Sequence, residues 1–119
     1  MKIIMLGTGY VGLVSGACFS EFGYDVICVD NDEEKIKNLI NGILPIYEPG
    51  LDALVNKNYS NGKLKFTSSI ENSISEADAI FIAVGTPERR GDGHADLSYV
   101  YSAAKEIAPR LNKYCVIIT

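Results

Sequence analysis

The sequence predicts an α/β domain with a doubly wound parallel sheet of about five to six strands. Short apolar runs alternate with segments of helical periodicity, a glycine-rich turn joins the first run to the first helix, and one internal run contains no polar residue. Such alternation requires crossover helices, which cover both faces of a parallel sheet. Right-handed crossovers leave few topologies, and the doubly wound sheet is the one we expect.

The first strand and the first helix flank the glycine-rich turn. Ile3–Leu6 is a short apolar run typical of a strand that is buried on both faces. Tyr10–Phe22 carries apolar residues at helical spacing, and Gly23 is well placed to end that helix. The side of the helix that we expect to face the sheet carries Val11, Val14, Cys18 and Phe22.

The remaining elements continue the alternation. Tyr24–Asp30 is rich in β-branched residues, as a strand should be. Asn31 and Asp32 suit the N-cap of a second helix, which Asn41-Gly42 would end. The other predicted elements are a short helix at Leu51–Asn56, a strand at Lys63–Thr67, a short helix at Ser69–Glu76, a strand at Ala79–Val84, a helix at Asp96–Leu111 that frays near Pro109, and a strand at Tyr114–Ile118.

Length and charge bound the possible functions. The 119 residues suit one domain spanning residues 1–119. The formal net charge is −4 and no basic block is present, which argues against a nucleic-acid partner. The opening apolar run is too short for a signal peptide or a membrane span, so we expect a cytoplasmic protein with no membrane partner. Because the chain stops at Thr119, directly after an apolar run that suggests a buried strand, we expect an N-terminal fragment of a longer protein.

The loop after the first strand, with the sequence GTGYVG, is typical of a dinucleotide phosphate loop. Gly7 would permit the tight turn, Gly9 would let a pyrophosphate approach the backbone, and Gly12 would let the helix pack closely on the sheet. The free amides of Tyr10, Val11 and Gly12 would then point at the anion. The alternative is a glycine-rich turn in an α/β domain that binds no dinucleotide.

An acidic residue ends the second strand at the spacing expected of a ribose-binding carboxylate. Asp30 could accept hydrogen bonds from the adenosine ribose hydroxyls and would repel a 2′-phosphate, which favours NAD⁺ over NADP⁺. Lys35 could reach the same region, or it could be a solvated helix lysine.

Four segments of the chain resemble the UDP-glucose/GDP-mannose dehydrogenase family. The resemblance covers all 119 residues, and the connector's Pro-Ile-Tyr form is most similar to the members that act on UDP-glucose. The segments are GTGYVGLV at 7–14, VDND at 29–32 with Lys35-Ile36 after it, PIYEPGL at 45–51, and VGTP at 84–87 followed by Asp92-Gly93 and ADLS at 95–98.

This resemblance implies an NAD-dependent enzyme that oxidises the C6 alcohol of a UDP-sugar to a carboxylate in two steps, and that forms a homodimer at full length. The family's catalytic cysteine lies downstream of Thr119, so the resemblance implies no catalytic residue in this fragment, which should be inactive alone. Cys18, Cys28 and Cys115 lie in apolar runs, which indicates core residues and no metal site.

The resemblance also implies which residues contact the cofactor. Val11, Asp30, Lys35 and Thr86 match NAD contacts of the family, although Thr86 could instead cap the loop before Pro87. The full set of predicted cofactor-binding residues is Gly7, Gly9, Tyr10, Val11, Gly12, Asp30, Lys35, Gly85, Thr86 and Pro87.

Four polar loop residues receive no firm role. Glu48 could touch cofactor or substrate, but a structural turn between two prolines is favoured. Arg89 and Arg90 could meet a phosphate or be solvated, and His94 is expected to be exposed.

Other functions remain open at the level of sequence. GDP-mannose or UDP-N-acetylmannosamine could replace UDP-glucose. A non-catalytic nucleotide-sensing domain, such as those that regulate potassium channels, shares the glycine loop and the acid. Hydroxyacyl and phosphogluconate dehydrogenases share the fold.

Overall fold

The structure is a computed structural model that describes residues 1–71 and 73–119. Within them, one parallel sheet has the strand order β3-β2-β1-β4-β5, which confirms the predicted doubly wound class with five strands. The strands are β1 (Lys2–Leu6), β2 (Asp25–Val29), β3 (Leu64–Thr67), β4 (Ala79–Ile82) and β5 (Val116–Ile118). The helices are α1 (Tyr10–Glu21), α2 (Glu33–Ile40), α3 (Leu51–Ser60) and α4 (Ser98–Ile107), with 3₁₀ turns at Ile74–Glu76 and Ala108–Arg110.

The central strand β1 supplies both cores of the domain. Ile3 and Met5 point into a core shared with α1, α2 and α3, whereas Ile4 and Leu6 point into a second core shared with α4. Successive residues of a strand face opposite sides of a sheet, so the two cores lie on opposite faces. Because both faces of β1 are covered, all four residues from Ile3 to Leu6 are apolar.

Local signals set the end of α1 and both ends of α2, as predicted. Gly23 lies just beyond α1 and has φ +96°. Its amide donates a hydrogen bond to the Ser20 carbonyl in the last turn of the helix. Asp32 is the N-cap of α2, where its side chain accepts a hydrogen bond from the Lys35 amide at 3.0 Å. Gly42, with φ +80°, follows the C-cap of α2.

The apolar side predicted for α1 is wrong at two of its four residues, although Val14 packs against the core and Gly12 packs closely as predicted. Val11 and Phe22 are 66% and 73% exposed. The face that meets the sheet consists of Gly12, Leu13, Gly16, Ala17 and Ser20. Small residues line that face because α1 lies very close to the strands, and larger apolar residues occupy the rest of the helix surface.

Several predicted boundaries also differ. The helix predicted at Ser69–Glu76 is a 3₁₀ turn at Ile74–Glu76, and Asn72 lies outside the described residues. The helix before Pro109 ends at Ile107, because proline cannot supply the next helical amide and a 3₁₀ turn takes over. The larger remaining differences are in α3, which continues to Ser60; β4, which ends at Ile82; α4, which begins at Ser98; and β5, which begins at Val116. The bounds of β1, α1, β2 and β3 differ from prediction by one residue at one or both ends.

The last strand is less buried than predicted. β5 is at the edge of the sheet, and Val116 and Ile117 are about two-fifths exposed. Cys28 is fully buried in the core as predicted, whereas Cys18 and Cys115 are only partly buried. Within the described ranges, no helix is long and apolar enough to cross a membrane.

Candidate dinucleotide site

A cavity of about 940 Å³ opens at the carboxyl ends of β1, β2 and β4. The chain passes from β1 to β2 and β3 on one side and then crosses to β4 on the other side of β1, so this is the crevice where doubly wound sheets bind ligands. Its volume is in the range of small-molecule and cofactor sites. Of the ten residues predicted to bind cofactor, nine line it: Gly7, Gly9, Tyr10, Val11, Asp30, Lys35, Gly85, Thr86 and Pro87.

Gly12 does not line the cavity, and the structure explains why it is glycine. A Cβ atom there would lie 1.9 Å from the Gly7 carbonyl oxygen, so any side chain would force the phosphate loop away from α1. Gly7 is constrained as well, with φ +98° and an ideal Cβ position 2.5 Å from the Ala83 carbonyl oxygen. Both residues let α1 begin directly over the ends of β1 and β4.

Gly9 has the opposite environment. An ideal Cβ at Gly9 would meet no heavy atom of the described chain within 4 Å, so this glycine borders open space in the cavity. Gly9 is also the N-cap of α1, and no side chain caps the helix. The first turn contains no acidic residue, so its partial positive charge faces the cavity unopposed.

The first backbone amides of α1 are available to a ligand. Among the described residues, the first amide of this helix with a backbone acceptor is that of Leu13, which donates to the Gly9 carbonyl at 3.0 Å. The amides of Tyr10, Val11 and Gly12 have no protein acceptor there. Helix ends leave such donors for side chains, water or anions. The open space beside Gly9 and these three donors together fit a pyrophosphate.

Asp30 forms the neighbouring part of the site, just beyond the end of β2. Its Oδ2 atom accepts hydrogen bonds from the Thr8 amide at 2.9 Å, the Thr8 hydroxyl at 2.7 Å and the Lys35 ammonium at 3.0 Å. Its Oδ1 atom accepts from the Asp32 amide at 3.1 Å. The carboxylate therefore borders the cavity with its orientation fixed by both the phosphate loop and α2.

These donors also keep Asp30 ionised. Its side chain is only 9% exposed, and this partial burial opposes ionisation. The hydrogen bonds from Thr8, Asp32 and Lys35 outweigh that effect and lower the pKa of Asp30 to about 2. At neutral pH the site therefore presents a full negative charge next to a helix N-terminus, which matches a ribose beside a pyrophosphate but repels a 2′-phosphate.

Lys35 belongs to this network, so the alternative of a merely solvated helix lysine is wrong. Its ammonium lies 3.0 Å from Asp30 Oδ2, and the residue lines the cavity. Because the lysine is already paired with the carboxylate, it offsets only part of the repulsion that a 2′-phosphate would meet.

The loop after β4 forms the opposite wall of the cavity. Gly85, Thr86 and Pro87 are exposed at its edge. Within the described ranges the Thr86 hydroxyl has no hydrogen-bond partner, so nothing supports a role as a cap before Pro87. Its hydroxyl is free to meet a ligand at the carboxyl edge of the sheet.

Sequence reasoning missed part of the cavity wall. Ser68 and Ile70 follow β3, and Tyr99, Ser102 and Glu106 come from α4. The spacing of Tyr99, Ser102 and Glu106 places them on one helical face, which was a usable signal. This helical face could not be assigned to the site from the sequence, because the sequence does not say which side of α4 faces the crevice.

Two of the remaining polar loop residues, Arg89 and Glu48, have local partners. Arg89 forms an ion pair with Asp92 at 2.7 Å, and its amide donates to the His94 carbonyl in a small antiparallel bridge. Arg90 and His94 are exposed. The Glu48 carbonyl accepts from the Leu51 amide at 3.1 Å, which supports the structural-turn interpretation of the connector.

A parallel sheet with a bare helix end over its switch point, and a buried carboxylate one strand away, defines a dinucleotide-binding domain of the Rossmann type. The whole chain, residues 1–119, matches the UDP-glucose/GDP-mannose dehydrogenase family, NAD binding domain, and the protein belongs to that family.

Individual relatives agree with this assignment. The chain is 60% identical over 119 residues to the UDP-glucose 6-dehydrogenase of Rhizobium meliloti, covering all of this chain and 27% of that protein. It is 56% identical over 117 residues to UDP-glucose 6-dehydrogenase TuaD of Bacillus subtilis, covering 98% of this chain and 25% of the relative. The chain thus spans about a quarter of the length of these curated relatives.

Solved structures share the fold. The GDP-mannose dehydrogenase of Pseudomonas aeruginosa, crystallised as a ternary complex, superposes with a TM-score of 0.85 at 39% identity, over 90% of this chain and 24% of that one. Since dehydrogenases of different nucleotide sugars share this domain, the fold does not choose among the sugars.

Proposed function

We propose that this chain is the NAD⁺-holding domain of a UDP-glucose 6-dehydrogenase. The observation that carries the proposal is the N-terminus of α1: three amides without a protein acceptor face a cavity that the Asp30 carboxylate also borders. The 60% and 56% identity to UDP-glucose 6-dehydrogenases supports UDP-glucose over GDP-mannose or UDP-N-acetylmannosamine as the sugar nucleotide.

The ten residues predicted from the sequence form the proposed cofactor site. The amides at the start of α1 would bind the pyrophosphate, Asp30 and Lys35 the adenosine ribose, and the segment Gly85–Pro87 the nicotinamide side. Gly12 acts from beneath, because it lets the helix end approach the loop. Bound NAD⁺ supplies the hydride acceptor, and this chain's residues hold and orient it.

The activity proposed for the whole enzyme is the conversion of UDP-glucose, two NAD⁺ and water to UDP-glucuronate and two NADH. By itself the 119-residue chain binds NAD⁺ and turns over no substrate, since we assign no catalytic residue to it. We further propose that the whole enzyme is a cytoplasmic homodimer. The three unpaired cysteines support a reducing compartment.

Calorimetry with a Gly9→Ser variant tests the cofactor assignment. A serine side chain has room at Gly9 and is a good N-cap, so stability should stay the same or rise by a few tenths of a kcal/mol (about 0.3). The same side chain would occupy the pyrophosphate position and bond to the helix amides. NAD⁺ affinity should therefore fall at least about tenfold, equivalent to about 1.4 kcal/mol.

Two results would contradict the assignment: no NAD⁺ binding to the unmodified chain at millimolar cofactor, or equal affinity in the variant. NADP⁺ serves as the control ligand and should bind more weakly than NAD⁺ to the unmodified chain. A full-length enzyme assayed with UDP-glucose, GDP-mannose and UDP-N-acetylmannosamine tests the sugar separately.

A further inference from the structure

Thr8 lies between two glycines of the phosphate loop, yet its side chain is fully buried and points to Asp30. We propose that Thr8 is a positioning residue that holds the Asp30 carboxylate so that its Oδ1 atom is presented to the cofactor ribose. The inference rests on the proposed NAD⁺ site and assigns a role to a loop side chain that the glycine motif does not specify.

The argument starts from the acceptor capacity of the carboxylate. Each of the two carboxylate oxygens offers about two lone pairs. Oδ2 already receives three donors: the amide and hydroxyl of Thr8 and the ammonium of Lys35. Oδ1 receives one, the Asp32 amide. Among the described residues, Oδ1 is therefore the oxygen with acceptor capacity left for a ribose hydroxyl.

The three donors to Oδ2 differ in mobility. The Thr8 amide is part of the tight turn, and its hydroxyl is buried, so both are held in place by the fold. Lys35 is a long, partly exposed side chain. A second ribose hydroxyl could reach Oδ2 only if the Lys35 ammonium moved away, whereas Thr8 would remain bound throughout.

Thr8 also links the two halves of the proposed site. Its backbone belongs to the loop that leads into α1, and its hydroxyl holds the acid that follows β2. The distance between the pyrophosphate donors and the ribose acceptor is thereby fixed before any ligand arrives. Such preorganisation lowers the ordering cost of binding.

The test compares Thr8→Val and Thr8→Ala, which lack the hydroxyl, with Thr8→Ser, which keeps it. Ser20→Ala is the matched control, because it removes a buried hydroxyl from α1 whose only partner in the described part of the chain is the Ala17 carbonyl. Losing a hydrogen bond to a charged group should weaken NAD⁺ binding about tenfold in Thr8→Val and Thr8→Ala. Thr8→Ser and Ser20→Ala should bind within about twofold of the unmodified chain.

Carbon-detected NMR titration of the Asp30 carboxyl is a second readout that needs no cofactor. The pKa of Asp30 should rise in Thr8→Val and Thr8→Ala, and stay low in Thr8→Ser and Ser20→Ala. The charged group that faces Asp30 is Lys35 on α2, and the cavity's other titratable side chains are Tyr10, Tyr99 and Glu106. None of these groups is altered by the variants.

The outcomes separate this inference from the proposed function. If Thr8→Val and Thr8→Ala both keep the low Asp30 pKa and full NAD⁺ affinity, the positioning role is overturned while the NAD⁺ site stands. If the unmodified chain binds no NAD⁺, the proposed function fails, and the NMR titration still decides whether Thr8 holds Asp30. If Thr8→Val does not fold, Thr8→Ala gives the same comparison, because alanine has a smaller side chain than threonine and fits the same space.

Discussion

Because α1 packs closely on β2, we predict that the effect of Gly16→Ala on stability depends on the residue at position 28. An ideal Cβ at Gly16 would lie 2.7 Å from the sulfur of Cys28, well inside van der Waals contact, and Cys28 is fully buried. Forcing extra volume into such a core costs about 1–3 kcal/mol. Alanine in place of a mid-helix glycine returns about 1 kcal/mol of helix propensity. Gly16→Ala should therefore destabilise the chain by roughly 0–2 kcal/mol.

In a Cys28→Ala background the clashing sulfur is absent. Gly16→Ala should then stabilise the chain by about 1 kcal/mol, which implies a coupling energy of about 1–3 kcal/mol between the two sites. Urea unfolding of the unmodified chain, both single variants and the double variant measures this cycle, with the slope of each transition as a check that compactness is unchanged. Equal effects of Gly16→Ala in the two backgrounds would refute the claim that contact with the sulfur requires this glycine.

Two further predictions concern titratable groups. The pKa of Asp30 is lowered by its hydrogen bonds from an ordinary 3.8 to about 2, so its contribution to stability is present above the unfolded-state value and is lost as pH falls toward the folded-state value. The unmodified chain should lose roughly 2 kcal/mol relative to Asp30→Asn between pH 5 and pH 2, measured by denaturant unfolding; a constant difference across that range would contradict the network. Burial raises the pKa of the Cys28 thiol to about 12, so at pH 8 Ellman's reagent should label Cys18 and Cys115 in the folded chain and Cys28 only after unfolding. Rapid labelling of Cys28 in the native chain would show that β2 is less protected than the structure indicates.

The fold was predictable from sequence because its strongest signals are local and mutually consistent. β1 and the apolar segment at β4 are continuous runs. The helix after β1 is followed by Gly23, and the helix after β4 ends before Pro109. Parallel pairing and right-handed crossovers then leave little freedom. Strand boundaries were less predictable. Val84 and Tyr114 have side chains typical of strands, but Val84 follows the last paired residue of β4 and Tyr114 precedes the first paired residue of β5.

The orientation of α1 could not be predicted from hydrophobicity. Apolar residues occur almost all round this helix, so their positions do not identify one face. The decisive residues are Gly12 and Gly16, whose missing side chains let α1 approach the sheet closely. Close approach, rather than apolar character, selected the inner face.

The sequence predicted the parts of the candidate site that local backbone structure forms. It did not predict the parts that depend on tertiary contacts. Gly7, Gly9 and Asp30 follow from the turn and from the end of a strand. The hydrogen bonds of Thr8 to Asp30 join residues that follow two different strands, and the contribution of Ser102 depends on how α4 packs. The first relation has no periodic signature in the sequence. The helical spacing of Tyr99, Ser102 and Glu106 marks a shared face but does not say what that face packs against.

The central place of β1 has a consequence for how the chain reaches its native state. β1 is synthesised before the other four strands of the sheet and lies in the middle of them, paired with β2 on one side and with β4 on the other, where Ile3 lies opposite Ala79. The β1–α1–β2 unit can form early, but the second edge of β1 stays open until the chain has been made as far as β4. Joining them closes a long loop, and such non-local parallel pairings fold slowly. Until β4 has been made, that edge of β1 presents unpaired backbone amides and carbonyls, which can pair with another chain.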